Sequence, residues 1–379
     1  MCAVYAVLTL QVQNGIIFLG DATMRLKNAN LFGVLCDIEM EGGIFTKVGA
    51  IPGNGLDLQG KMVLPGLIDV HTHGCLGKDT MDADFYKMSD FLAKNGTTCY
   101  LPTTMTMPYD AISRVLLKNT DVPGAQIAGF HLEGPYISET YKGAQNAAYI
   151  AMPDIEAFRI LNQKNNVKMI TVAPELPGCM EFIRQAECVV SLGHTAADYD
   201  TCIDAILAGA SCVTHACNAM PPLHHRAPSL MGAAVKKQIY IQVISDGLHL
   251  HGAMVYTLYR LFGPDKMILI SDSMHATGYA DGTYDFGGQP IVVKDGVART
   301  QDGKLAGSTS TLWRCVKLSA AFGIPFADAV AMATRTPAAL LGLNKGRIAV
   351  GLDADLIVID SQMQVEMTVI AGEIYKGRE

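Results

Sequence analysis

Residues 62–74 read Met62-Val63-Leu64-Pro65-Gly66-Leu67-Ile68-Asp69-Val70-His71-Thr72-His73-Gly74. The apolar part, 63–70, lacks the polar residue at every second position that a half-solvated strand shows, and it ends in Asp-x-His-x-His. That is the form of a strand buried on both faces, with its polar groups gathered at the C-terminal end. Seven further runs of this texture follow at 97–101, 127–132, 168–172, 188–192, 211–214, 240–245 and 267–270. Amphipathic stretches of helical length lie between them, among them 84–94, 109–119, 155–162, 198–208 and 252–261, with Asn95-Gly96 as a C-terminal stop. Eight strand–helix alternations with buried parallel strands predict an α/β fold, a (β/α)8 TIM barrel over residues 61–342.

On either side of the barrel the pattern changes. Residues 1–60 alternate short apolar runs, beginning with Met1 to Leu10, with turn signals such as Asn14-Gly15 and Gly42-Gly43, and show no helical period. Beyond a Gly-rich hairpin at 282–303 and helices at 312–322 and 327–341, residues 347–375 are again β in character. Both ends are therefore expected to build one small discontinuous β-sandwich from 1–60 plus 343–379.

Composition narrows the function. The chain has 29 Lys+Arg against 36 Asp+Glu, a net charge of −7, and 27 aromatic residues scattered rather than interleaved with basic runs. Nucleic acid is disfavoured as a partner. No run reaches the roughly 18 apolar residues of a spanning helix, and ten cysteines without CxxC pairs suit reduced thiols, so no membrane role and a cytoplasmic location are expected.

The polar residues fall just past the strand ends: His71 and His73 after the first run, Glu133 after the third, His194 after the fifth, His215 after the sixth, Asp246 and His249 after the seventh, Asp272 after the eighth. In a barrel this is the face on which active sites are built. His71 and His73, two apart on extended chain, point the same way. With Glu133, His194 and His215 they supply four imidazoles and a carboxylate, a donor set that suits one or two divalent cations: Zn²⁺ first, with Fe²⁺ or Mn²⁺ as alternatives. Asp272 reads either as an orienter of a ligating histidine or as a general base. Asp246 reads as an orienter or turn former, and His249 as a substrate contact. The proline-broken loop 218–228 carries His224-His225-Arg226, which suits either an anion or solvent.

Taken in order, LPGLIDVHTHG (64–74), HLEGPYI around Glu133, APE (173–175), SLGHT, THACNAMPPLHHRAPSLMGAA, SDGLHLH, SDSMHATG (271–278) and LAGST (305–309) resemble the N-acetylglucosamine-6-phosphate deacetylase family of the amidohydrolase superfamily, over nearly the whole chain. The resemblance implies a metal-dependent hydrolase barrel with a β-sandwich. It implies that Glu133, His194 and His215 hold one metal and that His71 and His73 add a second site. It further implies that Asp272 is the catalytic base, that His249, His225 and Arg226 contact substrate and phosphate, and that Asn218 and Ala219 contact the sugar. The family places a substrate-contacting histidine where this chain has Gln145, and an aromatic where it has Cys217.

The expected reaction is hydrolysis of the acetamide of N-acetyl-D-glucosamine 6-phosphate to D-glucosamine 6-phosphate and acetate, in amino-sugar catabolism. The expected form is a homodimer in which Arg226 reaches the neighbouring active site. The alternatives are deacetylation of another N-acetyl hexosamine phosphate such as N-acetylgalactosamine 6-phosphate, cyclic amide opening, or a non-catalytic sugar-phosphate sensor.

Overall fold

The computed structural model describes residues 23–286 and 289–375, and the strand backbones of Gln11–Gln13 and Ile16–Phe18. The strand expected at Met1 to Leu10 and the Asn14-Gly15 turn lie outside the described residues.

Eight parallel strands pair in chain order: β1 (Leu67–Thr72), β2 (Thr97–Thr104), β3 (Phe130–Glu133), β4 (Val167–Val172), β5 (Val189–Leu192), β6 (Cys212–Val213), β7 (Tyr240–Ile244) and β8 (Met267–Ile270). A short strand, Gln126–Ile127, adds beside β2. The seam between β8 and β1 is closed by the Asp272 N–H donating to the His71 carbonyl at 3.0 Å and the Ser271 N–H donating to Asp69 Oδ1 at 3.3 Å. The barrel anticipated from the eight buried runs is the fold observed.

Strand alternation sorts the side chains. Leu132, Ile170 and Val243 face outward into the main apolar cluster, which is completed by helices such as Phe85–Lys94, Tyr109–Leu116 and Gly252–Phe262. Their neighbours turn inward. Lower in the barrel these are apolar, Cys99, Leu101, Met169 and Ile268. Above them lies a hydrogen-bonded polar layer. The His131 and Thr171 side chains bond at 2.8 Å, Thr171 and Thr214 at 2.8 Å, and Ser191 and Thr214 at 2.7 Å. A satisfied polar layer of this kind carries the interior from apolar base to polar mouth without stranding a buried polar group.

Strands from both ends of the chain share one ten-stranded sheet. Leu26, Ile38, Phe45, Val63, Leu356, Val358 and Val369 give that sheet a core of its own. Ile357 and Ile359, on the opposite face of Leu356–Ile359, join the barrel's cluster instead, which is why this strand reads as a continuous apolar run.

Three sequence expectations need correction. The run 63–70 is two strands: Met62–Pro65 pairs with Leu356–Ile359 in the terminal sheet, and only Leu67–Thr72 enters the barrel. The helix expected over 327–341 is two, Phe326–Met332 and Arg335–Leu341. Pro337 has no N–H for the Ala333 carbonyl and its ring crowds that group, so the carbonyl leaves the helix and accepts from Ile68 N–H at 2.8 Å. The hairpin at 282–303 is a three-stranded antiparallel sheet, Gly282–Phe286, Gln289–Lys294 and Val297–Thr300, whose Phe286 closes one side of the barrel mouth. No helix among the described residues is long and apolar enough to cross a membrane.

Gly66 sits where the chain passes from sheet to barrel, buried, with its N–H donating to the Asp355 carbonyl at 3.0 Å. A Cβ there would lie 2.2 Å from Thr98 Oγ1. Gly66→Ala should therefore cost about 1–3 kcal/mol of stability through forced repacking, read as a lower urea midpoint at unchanged slope. A midpoint equal to the parent's would show that the junction yields freely.

Candidate metal centre and active site

The mouth of the barrel is a cavity of about 520 Å³ lined by His73, Glu133, His194, His215, His249 and Asp272 among others. Every residue proposed from sequence as a metal ligand is buried, at 5% exposure or less. His71 is the last residue but one of β1, Glu133 ends β3, and His73 lies one residue beyond β1. His194, His215 and Asp272 each lie two residues past a strand, in the left-handed region at φ 48°, 27° and 47°. For a residue with a Cβ this conformation costs about 1–3 kcal/mol. Here it breaks the alternation of the strand and turns all three side chains in upon one point.

His194 and His215 meet there at the Glu133 carboxylate, and Asp272 faces His71 and His73 beside it. Glu133 Oε1 lies 3.0 Å from His215 Nε2, 3.2 Å from His194 Nε2 and 3.4 Å from His71 Nε2, and Oε2 lies 3.3 Å from His73 Nε2. Asp272 Oδ1 is 3.4 Å from both His71 Nε2 and His73 Nε2. Two groups of three, His71–His73–Glu133 and Glu133–His194–His215, bring their donor atoms within 4.8 Å of one another.

The other ring nitrogens show what this convergence requires. His73 Nδ1 faces the Thr103 carbonyl at 3.1 Å, His194 Nδ1 faces the Tyr141 carbonyl at 2.9 Å, and His71 Nδ1 faces Gln242 Oε1 at 2.9 Å. Each partner can only accept, so each Nδ1 carries the proton and each Nε2 presents a lone pair. Lone pairs on His71 and His73 then meet at 3.2 Å, beside two carboxylates. Such a set is repulsive alone and is relieved by a cation. The residues present therefore fit one or two divalent ions.

The site's electrostatics agree. Burial works to raise the Glu133 carboxyl, but the imidazoles of His194 and His71 outweigh it and hold it well below the usual carboxylate range. Burial likewise opposes ionisation of Asp272, and His71 and His73 again prevail, so its pKa is lowered. Burial opposes a charged His73, yet bonds to Asp272 and Glu133 push its pKa up to about 10, so without a metal ion a proton takes the place of one on Nε2. The surroundings demand positive charge at this point.

The remaining candidates separate. Asp246 is an orienter, as one sequence reading had it. It accepts from the N–H groups of Leu248 (2.8 Å) and His249 (2.9 Å), and its Oδ2 lies 2.7 Å from His249 Nδ1, which aims the other ring nitrogen at the cavity. Asn218 and Ala219 line the cavity, and Asn218 spends its side-chain N–H groups on the carbonyls of His215 and Ala216. Gln145 lines it too, bonded to Glu133. His225 and Arg226 are exposed on the loop and bonded to each other at 2.7 Å, and neither lines the cavity of its own chain.

Sequence reasoning missed Gln242. Its signal was present as a single polar residue inside the apolar strand Tyr240–Ile244. Replacing it with Met removes the acceptor that fixes the His71 tautomer, so affinity at the position using His71 should drop about 10 to 100-fold, whereas Gln242→Glu, still an acceptor, should retain it. Metal content after dialysis against graded chelator decides the point, and equal retention in both variants would remove Gln242 from this role.

Comparison with known proteins now bears on this geometry. The amidohydrolase family model matches residues 62–375. The N-acetylglucosamine-6-phosphate deacetylase of Bacillus subtilis (strain 168) is 38% identical over 333 residues, covering 83% of this chain and 84% of that protein. The N-acetylgalactosamine-6-phosphate deacetylase of Escherichia coli O157:H7 is 32% identical over 354 residues, covering 89% and 94%. Among solved structures, a point mutant of the N-acetyl-D-glucosamine-6-phosphate deacetylase from Mycobacterium smegmatis, in complex with N-acetyl-D-glucosamine-6-phosphate, superposes with a TM-score of 0.86 at 31% identity, covering 94% of this chain and 100% of that one. Fold, the convergence on Glu133 and these likenesses agree: the chain belongs to the amidohydrolase family, within its N-acetylglucosamine-6-phosphate deacetylase branch.

Proposed function

We propose that this chain hydrolyses the acetamide of N-acetyl-D-glucosamine 6-phosphate, releasing D-glucosamine 6-phosphate and acetate. The observation that carries the reading is a second carboxylate, Asp272, set at 3.4 Å from two histidines of a Glu133-centred cation cradle inside a cavity of about 520 Å³. The volume lies within the range of small-ligand sites, about 300–1,000 Å³.

An amide is a poor electrophile and water a poor nucleophile. A divalent cation held by Glu133, His194 and His215, with His71 and His73 offering a second position, would polarise the carbonyl and acidify water. Zn²⁺ suits the imidazole-rich donors best, Fe²⁺ or Mn²⁺ next. The chain's own residues do the rest. Asp272, held in its charged form, takes the proton of the attacking water and delivers it to the amide nitrogen, which without it would leave as an anion. His249, held by Asp246, presents a ring nitrogen to the substrate, and Gln145, Asn218 and Ala219 border the sugar. A sugar-phosphate sensor would need no group to shuttle a proton, so Asp272 favours the enzyme. A phosphorylated sugar is a cytoplasmic metabolite, and the nine described cysteines are free, in keeping with that compartment.

Asp272→Asn keeps the shape and loses the base, so kcat should fall by roughly 10² to 10⁴ with metal content unchanged. Acetate release from N-acetylglucosamine 6-phosphate, its galactose epimer and both unphosphorylated sugars measures this and the preference together. Activity within threefold of the parent would place the base elsewhere, and a faster galactose epimer would reassign the substrate.

For the phosphate we propose a contact from a second copy of the chain. Lys142 and Lys304 line the cavity, but Arg226 and His225 stand outside it on a loop stiffened by Pro221, Pro222 and Pro228. In a homodimer that loop would reach a neighbouring mouth, where the Arg226 fork matches phosphate. Arg226→Ala should then cost about 1.5–3 kcal/mol, or roughly 10 to 150-fold in kcat/KM, on phosphorylated substrate alone. Mixing Asp272→Asn chains with Arg226→Ala chains should restore activity, because one mixed site keeps both groups. No recovery after verified subunit exchange would sink the arrangement.

A further inference from the structure

Gln145 is nearly inaccessible, at 2% exposure, and its amide is held from both ends. The Thr106 N–H donates to Oε1 at 2.7 Å, which identifies that atom as the oxygen, so the group turned to Glu133 is the NH₂, donating to Oε2. The loop beneath is tied down as well. The Gln145 N–H donates to the Lys142 carbonyl at 2.9 Å, Lys142 Nζ donates to the Gln145 carbonyl at 3.1 Å, and Gln289 Nε2 donates to the Ala144 carbonyl at 3.0 Å. The amide therefore cannot swing aside without breaking several bonds.

This makes the two oxygens of Glu133 unlike. Oε1 faces His215, His194 and His71, at 3.0, 3.2 and 3.4 Å, and the Gln145 NH₂ is turned to the other oxygen. Oε2 faces His73 at 3.3 Å with one lone pair already taken by an N–H donor, which also draws electron density from that oxygen.

We propose that Gln145 is a positioning residue that makes the two cation positions unequal. The position built on Oε1 with His194 and His215 binds tightly and fills first, and the position of His71 and His73, which reaches Oε2 through His73, fills second. The inference rests on the metal-dependent reading given above and deepens it: a neutral amide sets how many ions the site holds at a given free metal level.

The test measures Zn²⁺ bound per chain by elemental analysis across a series of buffered free Zn²⁺ concentrations, for the full chain and for Gln145→Met and Gln145→Glu. The parent should fill in two separated steps. Gln145→Met has no donor, so the ratio of second to first dissociation constants should shrink about tenfold or more. Gln145→Glu turns an oxygen rather than an N–H toward the site, and should shrink it further by tightening the second step. If Gln145→Met does not fold, the Gln145→Glu ratio decides. A parent that fills both positions with one constant, or variants whose two constants move by the same factor, would overturn the proposal while leaving the metal reading standing. A parent that binds no Zn²⁺ would overturn both.

Discussion

Everything about this molecule's mouth follows from crowding lone pairs around one buried carboxylate. Glu133 gathers four imidazole nitrogens within 3.4 Å, and Asp272 adds a second carboxylate at the same distance from two of them. Groups of like character do not assemble spontaneously in a region from which water is excluded. The scaffold must hold them there, and a cation must make the assembly favourable.

The barrel supplies the holding force through both backbone and side-chain groups. Carbonyls of Thr103 and Tyr141 fix two imidazole tautomers, and left-handed residues at His194, His215 and Asp272 turn their side chains off the strand direction. The polar layer of His131, Thr171, Thr214 and Ser191 supports the site from below. His131 belongs to this support. Burial drives its pKa well below the usual imidazole value, so it stays neutral and adds no charge beside His71, whose ring it meets edge-on at 4.6 Å.

The terminal sheet and the three-stranded sheet contribute differently. The terminal sheet braces the barrel through Ile357 and Ile359 and through the close approach of Gly66 to Thr98. The three-stranded sheet carries Phe286 to the cavity, where its ring stands edge-on to His73 at 5.5 Å between centroids. The cradle sits on strand ends, while the other walls of the cavity come from loops and from strands packed over the mouth.

The linear chain determined the barrel and the residues at its mouth, because both rest on local patterns: the length and buried texture of eight apolar runs, and the polar residue types that follow them. Gln242 was legible in principle as a lone polar residue in an apolar strand. Only tertiary structure decided that 62–65 belongs to another sheet, since its partner strand, Leu356–Ile359, lies near the other end of the sequence. It alone decided that the helix after 326 divides, because the partner of the Ala333 carbonyl is Ile68. It likewise decided that Gln145 bonds Glu133 and that Arg226 stands outside its own cavity. Patterns of period two and 3.6 record which face of an element is buried. They carry no record of what another strand or loop places against that face.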